Sequence, residues 1–454
     1  MALETAAHQF ALHHNGKAIT SAIKASRRTP ATALDAAATR DAIPPPDIFT
    51  TDDDDDDDGE KGHRLPSAAQ CAVHLEFLET LFVLRQRVLR SDALDGAFDI
   101  KPEYKFVDRK GVRTQLKDET LWDRRQAKWP RFVELAVARF TAWWANARDT
   151  DTTMPPLDVL MVWHSFLLNP RYFRIHNRAK PFYRLNFPWA DIHQAINSDN
   201  WEFSLPEAAS TAFQEMTGLQ PDLISSLSEW KTYPQETRSS LSGAARFSLQ
   251  QAELVSAITD GIKTPDQRLL QWFADADAAV SEELKQAVLR QVSFVDKMDQ
   301  RLWVRSPALG GTIRRARDRY NNFLRLYKFY STTMFVPTLD IDLVWHTHQC
   351  SPSQYFTATQ ELAGKFVNHD DSIAKGTLDT ALKQTRDLYR IRFAQEYLVC
   401  GCWDCEALLS ALDSSDGDEG EPDLESIAKQ VSSDVARYRK AEVARRAKES
   451  PREA

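Results

Sequence analysis

The chain has 454 residues, 43% of them apolar, with 12 Trp and 23 Phe. That length and apolar content suit two or three packed domains and exclude a wholly disordered chain. A net charge of −8, partly concentrated in one acidic run, argues against nucleic acid as a partner. Five Cys are too few, and odd in number, for a disulfide framework.

In chain order, residues 1–65 read as a disordered N-terminal region. Like charges along Asp52–Asp58 repel and extend the backbone. Lys17, Lys24, Arg27 and Arg28 loosely resemble a mitochondrial transit segment, an idea that Glu4 and the acidic run oppose. A cytoplasmic location is expected, with nuclear and mitochondrial alternatives open. No apolar run reaches the ~18–20 residues that span a bilayer, so no membrane partner is expected.

Helical half 1 is assigned to residues 66–200. Ser67 can cap a helix with Cys71, Leu75, Leu78, Phe82 and Leu89 at helical spacing. A second, aromatic helix covers 125–148. Residues 201–300 are a helical connecting segment. There Ser204 and Glu207 suggest a capping box, a helix runs from Ser248 through Ile258 to Gly261, and Ser281 caps a longer helix. Residues 301–413 form helical half 2, which opens with an aromatic-basic helix over 312–330. A helix after 378 puts Leu378, Leu382, Leu388 and Ile391 on its apolar face. Residues 414–454 are an acidic linker and a charged, solvated helix. No segment alternates with period two, so the fold class is mainly α.

Two segments say nearly the same thing. Residues 155–173 read PPLDVLMVWHSFLLNPRYF and residues 337–356 read PTLDIDLVWHTHQCSPSQYF. The Asp, Trp and His recur at a constant offset of 182, which predicts two homologous helical halves. Each copy reads as helix, corner, helix. The Asp sits at the positive helix end, and Asn-Pro or Ser-Pro starts the next helix. Residues kept in both copies are read as architecture. These are Asp158, Trp163, His164 and Pro170 in the first, and Asp340, Trp345 and Pro352 in the second.

Residues that differ are the better functional candidates. Asp342 and His348 occur only in the second copy, and together with the shared His346 and with Cys350 at the helix end they could form a polar pocket or a zinc or iron site. Asp342 and His346 are four apart and can meet on one face. His346 and His348 are about 200° apart on a regular helix, which opposes a simple two-His site. The first copy has Leu160 and Phe166 where the second has Asp342 and His348. Cys400, Cys402 and Cys405 are candidate zinc or structural thiols, with His369 a candidate fourth ligand.

The blocks LDIDLVWHTHQCSP (339–352), PPLDVLMVWHSFLLNPRYF (155–173) and QCAVHLEFLETLFVLRQRV (70–88) resemble the glycine-rich domain-containing protein-like family of plants and fungi. The resemblance spans roughly residues 66–405, and CGCWDC is similar to the fungal branch. It implies a link to stress responses. A dioxygenase label on some fungal relatives would imply non-haem iron. None of the 454 residues belongs to a glycine-rich stretch like the tail of the plant members.

Together these observations predict a helical interaction or scaffold protein with a protein partner, and not an enzyme. A metal-dependent hydrolase or non-haem iron oxygenase centred on Asp342, His346 and His348 is the alternative. Trp163 and Trp345 are expected in the core. Truncating either to Ala should lower stability by about 3–5 kcal/mol in urea unfolding.

Overall fold

A computed structural model describes residues 46–49, 65–109, 112–116, 118–147, 153–229, 277–371, 373, 375–415 and 424–449. The Asp run and the expected helix at Ser248–Ile258 lie outside these residues. Helices α1 (Ala68–Arg90) and α2 (Asp92–Ala97) precede an antiparallel hairpin, β1 (Lys105–Arg109) and β2 (Val112–Leu116), with Lys105 opposite Leu116. There follow α3 (Leu121–Arg125), α4 (Lys128–Asn146), α5 (Leu157–Leu167), α6 (Pro170–Asn177) and α7 (Trp189–Ala195). A minimal hairpin, β3 (Ile196–Asn197) and β4 (Glu202–Phe203), leads to α8 (Glu207–Thr217) and α9 (Leu223–Glu229). The rest is α10 (Ala278–Arg301), α11 (Leu309–Phe329), α12 (Leu339–Gln349), α13 (Pro352–Leu362), α14 (Lys375–Phe393), α15 (Trp403–Ser415) and α16 (Leu424–Glu449). The fold is mainly α, as the sequence predicts. Among the described residues, no helix is long and apolar enough to cross a membrane.

Local chemistry explains most helix starts and corrects some. Ser67 and Gln70 form a reciprocal box at the start of α1, Ser67 Oγ accepting from the Gln70 N–H and Gln70 Oε1 from the Ser67 N–H. α8 has no such box: Pro206 precedes it and no side chain caps it, so the expected Ser204–Glu207 pair does not form. α10 begins before Ser281, because the Asp277 carboxylate already accepts from the Ala279 and Val280 N–H groups. Pro170 and Pro352 stand at the first position of α6 and α13, but Asn169 and Ser351 do not cap through their side chains. Asn169 reaches back to the Ser165 carbonyl instead. Ile391 is exposed, not core. α16 is not a solvated helix. Val435, Tyr438 and Ala441 are buried and Arg439 is paired with Asp404.

The chain divides into two compact units, one of residues 80–185 and 203–295, the other of residues 1–79, 186–202 and 296–454. Each contains one copy of the Trp-His helix. In the first-copy unit, α4 packs on α5. Arg139, fully buried, donates through Nε to Asp158 Oδ2 at 2.6 Å, and through Nη1 and Nη2 to the Gln220 and Pro221 carbonyls at 2.6 and 2.8 Å. In the second-copy unit, α11 packs on α12. Arg319 donates through Nε to Asp340 Oδ2 at 2.6 Å, and through Nη1 and Nη2 to the Glu396 and Tyr397 carbonyls at 3.0 and 2.7 Å. The Asp residues were expected to cap their helices. In both units they neutralise an arginine instead, fully buried Arg139 and largely buried Arg319, because a guanidinium taken out of water needs a carboxylate and carbonyls.

The aromatic packing repeats as well. Trp163 and Trp345 are both buried; Trp143 lies 5.1 Å from Trp163 and Phe323 lies 5.4 Å from Trp345. Both guanidinium-bound carbonyl pairs follow a residue in the left-handed region, Gly218 (φ 70°) and Ala394 (φ 54°). Glycine adopts that conformation freely and alanine with strain. The structure thus matches Arg139 with Arg319 and Trp143 with Phe323, an offset of 180.

Replacing Arg139 by Met leaves a buried carboxylate without its cation and should cost about 3–5 kcal/mol in denaturant unfolding. The double change Arg139→Met with Asp158→Leu should recover most of that loss, since no uncompensated charge is left buried.

Candidate functional site

Pro337 interrupts the chain before α12, and Asp342 and His346 fall one turn apart on that helix. Asp342 Oδ1 lies 3.3 Å from His346 Nε2. His369, in the segment after α13, brings its Nε2 to 3.1 Å from His346 Nε2, with the two rings perpendicular. Three ligand atoms from these residues lie within 4.8 Å of one another. A relay of hydrogen bonds positions the third ligand. Trp345 Nε1 donates to Tyr355 Oη at 2.8 Å, and Tyr355 Oη donates to the Val367 carbonyl at 2.7 Å, two residues before His369. The His369 ring also stands edge-on against Trp345, 5.0 Å away.

Burial pushes the Asp342 carboxyl up to about 6, opposed by the positive charges of His369 and Lys297. Its side chain keeps 22% of its surface, so an ion can reach it from solvent. His nitrogens and carboxylate oxygens bind zinc at about 2.0–2.2 Å, which puts neighbouring donors about 3–3.5 Å apart. Both separations around His346 Nε2 fit. Two imidazoles and one carboxylate on one face are the donor set of zinc and of non-haem iron centres.

His348 does not join this group. It turns to the other side of α12, where Tyr320 Oη shares a 2.9 Å hydrogen bond with Nδ1. Burial pulls its pKa down to about 3, so the ring is neutral at pH 7. Its packing explains why it is there. The His348 ring meets Tyr320 and Tyr355 edge-to-face at 5.8 and 5.2 Å, as Phe166 meets Phe140 and Phe173 at 6.1 and 4.9 Å in the first-copy unit. A phenol–imidazole pair occupies the place of a phenylalanine pair. Cys350 is also apart. It is buried with its thiol pKa raised, and its carbonyl accepts from the Phe187 N–H. His164, the counterpart of His346, is buried and pulled down to about 3, with Leu160 where the second copy has Asp342.

Cys400, Cys402 and Cys405 do converge, with three sulfurs within 4.8 Å. His369, expected as their fourth ligand, is engaged with His346. A hydrogen bond from the Cys405 thiol pulls Cys402 down and pushes Cys405 up, while burial raises Cys400.

Sequence reasoning did not join His369 to Asp342 and His346. Its only signal is the polar run Asn368-His369-Asp370-Asp371 after a helix, and the contact depends on the Tyr355–Val367 bond. Arg139 and Arg319 were also missed. Their shared signal is an Arg directly before an aromatic residue, Arg139-Phe140 and Arg319-Tyr320, at an offset of 180 in the helix that precedes each Trp-His motif.

The family model of the glycine-rich domain-containing protein-like family matches residues 234–358, which include the second Trp-His helix. Glycine-rich domain-containing protein 1 of Arabidopsis thaliana is 25% identical over 287 residues, covering 59% of this chain and 29% of that protein. Glycine-rich domain-containing protein 2 of the same plant is 25% identical over 286 residues, covering 59% and 30%. The chain therefore corresponds to less than a third of the length of these relatives. No solved structure matches.

Replacing His348 by Phe, the residue of the first copy, strands the buried Tyr320 hydroxyl and should cost about 1–3 kcal/mol. Adding Tyr320→Phe should restore most of it, since the first-copy unit packs a Phe pair there. Thermal unfolding of the two variants reads this out.

Proposed function

We propose, from the match to the glycine-rich domain-containing protein-like family model and the likeness to the two plant relatives, that this chain is a helical interaction protein of that family whose second-copy unit binds a divalent metal ion through Asp342, His346 and His369. The observation that carries the metal is the convergence of those ligand atoms, with separations of 3.1 and 3.3 Å around His346 Nε2. The repeated residues support a duplicated framework. In each unit the Arg–Asp pair and the Trp are used up by packing, and the first copy lacks an Asp at the position of Asp342. The protein-partner role is supported by the exposed Tyr104 and Phe106, two residues apart and so on one face of the β1–β2 hairpin, with Leu116 exposed on the other face. Large exposed side chains grouped this way suit a protein interface.

A second reading is favoured by the ligand count. Three protein ligands on one face leave coordination positions open, as catalytic zinc and non-haem iron sites do. A metal-dependent hydrolase or oxygenase would use them for water, substrate or dioxygen.

Titration of the purified, chelator-treated protein with Zn(II), and anaerobically with Fe(II), tests the site. Beyond any ion held by the Cys400, Cys402 and Cys405 thiols, one ion should be held that is lost in Asp342→Ala and in His369→Ala, with helical content unchanged by circular dichroism. Unaltered metal content in both variants would sink the assignment. Hydrolysis or oxygen uptake that appears on loading, and disappears in the same variants, would favour the enzyme over the interaction protein.

A further inference from the structure

The three thiols after α14 belong to neither the arginine clamps nor the Asp342 site. Cys400 is exposed, and Cys402 and Cys405 are half-buried. Their backbone is held from several directions. Arg301 Nη1 donates to the Cys400 carbonyl at 3.2 Å and Trp303 Nε1 to the Gly401 carbonyl at 2.7 Å. Trp403 Nε1 donates in return to the Arg301 carbonyl at 2.9 Å. Gly401 is left-handed (φ +63°), and a Cβ there would come within 3.1 Å of the Trp303 ring. Position 401 therefore needs glycine for its conformation and for the close approach of the indole.

This pinned turn places Cys400 and Cys402 before α15 and Cys405 in its first turn. The carboxylate between the latter two, Asp404, does not compete for the sulfurs. It is paired with Arg439 of α16. The result is an all-sulfur donor set, chemically unlike the nitrogen and oxygen set of Asp342, His346 and His369.

We propose that Cys400, Cys402 and Cys405 form a tris-thiolate site for a soft closed-shell cation, with Cu(I) in trigonal coordination the best match. Thiolates select Cu(I) and Zn(II) over harder ions. Structural zinc almost always takes four ligands, and among the described residues this cluster offers three, so Zn(II) would need a fourth from solvent. Each thiol that coordinates releases its proton to water, and no electron is transferred. An ion here would also stiffen the start of α15 and, through the Asp404–Arg439 pair, the docking of α16.

The test uses the full chain, reduced with a phosphine and kept anaerobic, with Cu(I) or Zn(II) added at one equivalent. Native alkylation counted by mass spectrometry reads thiol protection, and near-ultraviolet sulfur-to-metal charge transfer reads Cu(I) coordination. Cu(I) should slow alkylation of all three cysteines at least tenfold, and Cys402→Ser should abolish both signals. His369→Ala should leave them unchanged, which separates this site from the Asp342 site. Protection by Zn(II) alone would replace trigonal Cu(I) with a zinc site completed by solvent. Equal alkylation rates with and without either ion would overturn the proposal. So would loss of thiols traced to a Cys402–Cys405 disulfide. The protection measurement on the unmodified protein decides the matter even if Cys402→Ser fails to fold.

Discussion

A buried guanidinium cannot stand alone in a helical core, and in each unit one arginine sets the terms for its surroundings. Arg139 and Arg319 each take one carboxylate and two successive backbone carbonyls. That geometry ties three pieces of chain together. These are the helix carrying the Arg, the Trp-His helix carrying the Asp, and the turn that ends the following amphipathic helix. Desolvating a cation costs several kcal/mol unless nearly every donor finds an acceptor. The chain must therefore bring that turn back to the same point, and Gly218 and Ala394 give it the left-handed step it needs.

Around this clamp the aromatic residues decide what each unit can do. In the first-copy unit Phe140, Phe166 and Phe173 fill one side of the Trp-His helix. In the second-copy unit the corresponding places hold Tyr320, His348 and Tyr355. The Tyr355 hydroxyl then does something phenylalanine cannot. It links Trp345 to the Val367 carbonyl and so holds the segment bearing His369 against His346. A few polar atoms inside an aromatic framework thus bring Asp342, His346 and His369 together in the second-copy unit.

Much of this was legible in the residues. Helix existence followed from apolar periodicity, and Pro170 and Pro352 marked helix starts because a proline at the first position loses no hydrogen bond. The constant offset through the Trp-His helix identified Trp163 and Trp345 as matched core residues. The 200° between His346 and His348 was a reason to doubt that both serve one ion, and the structure turns them to opposite sides of α12. Capping was less legible. Asp158 and Asp340 have the residue type and position of caps, yet each is drawn to a buried cation. A charge–charge contact in a dry interior outweighs a hydrogen bond to a helix end.

The sequence by itself determined the helices, the doubled motif and the residues by which its copies differ, because these rest on local spacing and residue type. It also put the three thiols in one six-residue segment, but their convergence depends on the turn at Gly401 that Arg301 and Trp303 pin. Only the tertiary structure decided that His369 and not His348 completes the group with Asp342 and His346. Only it could show that the shared Asp answers a buried arginine, or that the charged terminal helix docks through Arg439. Those outcomes depend on contacts between residues far apart in sequence, and desolvation in a closed core selects among them.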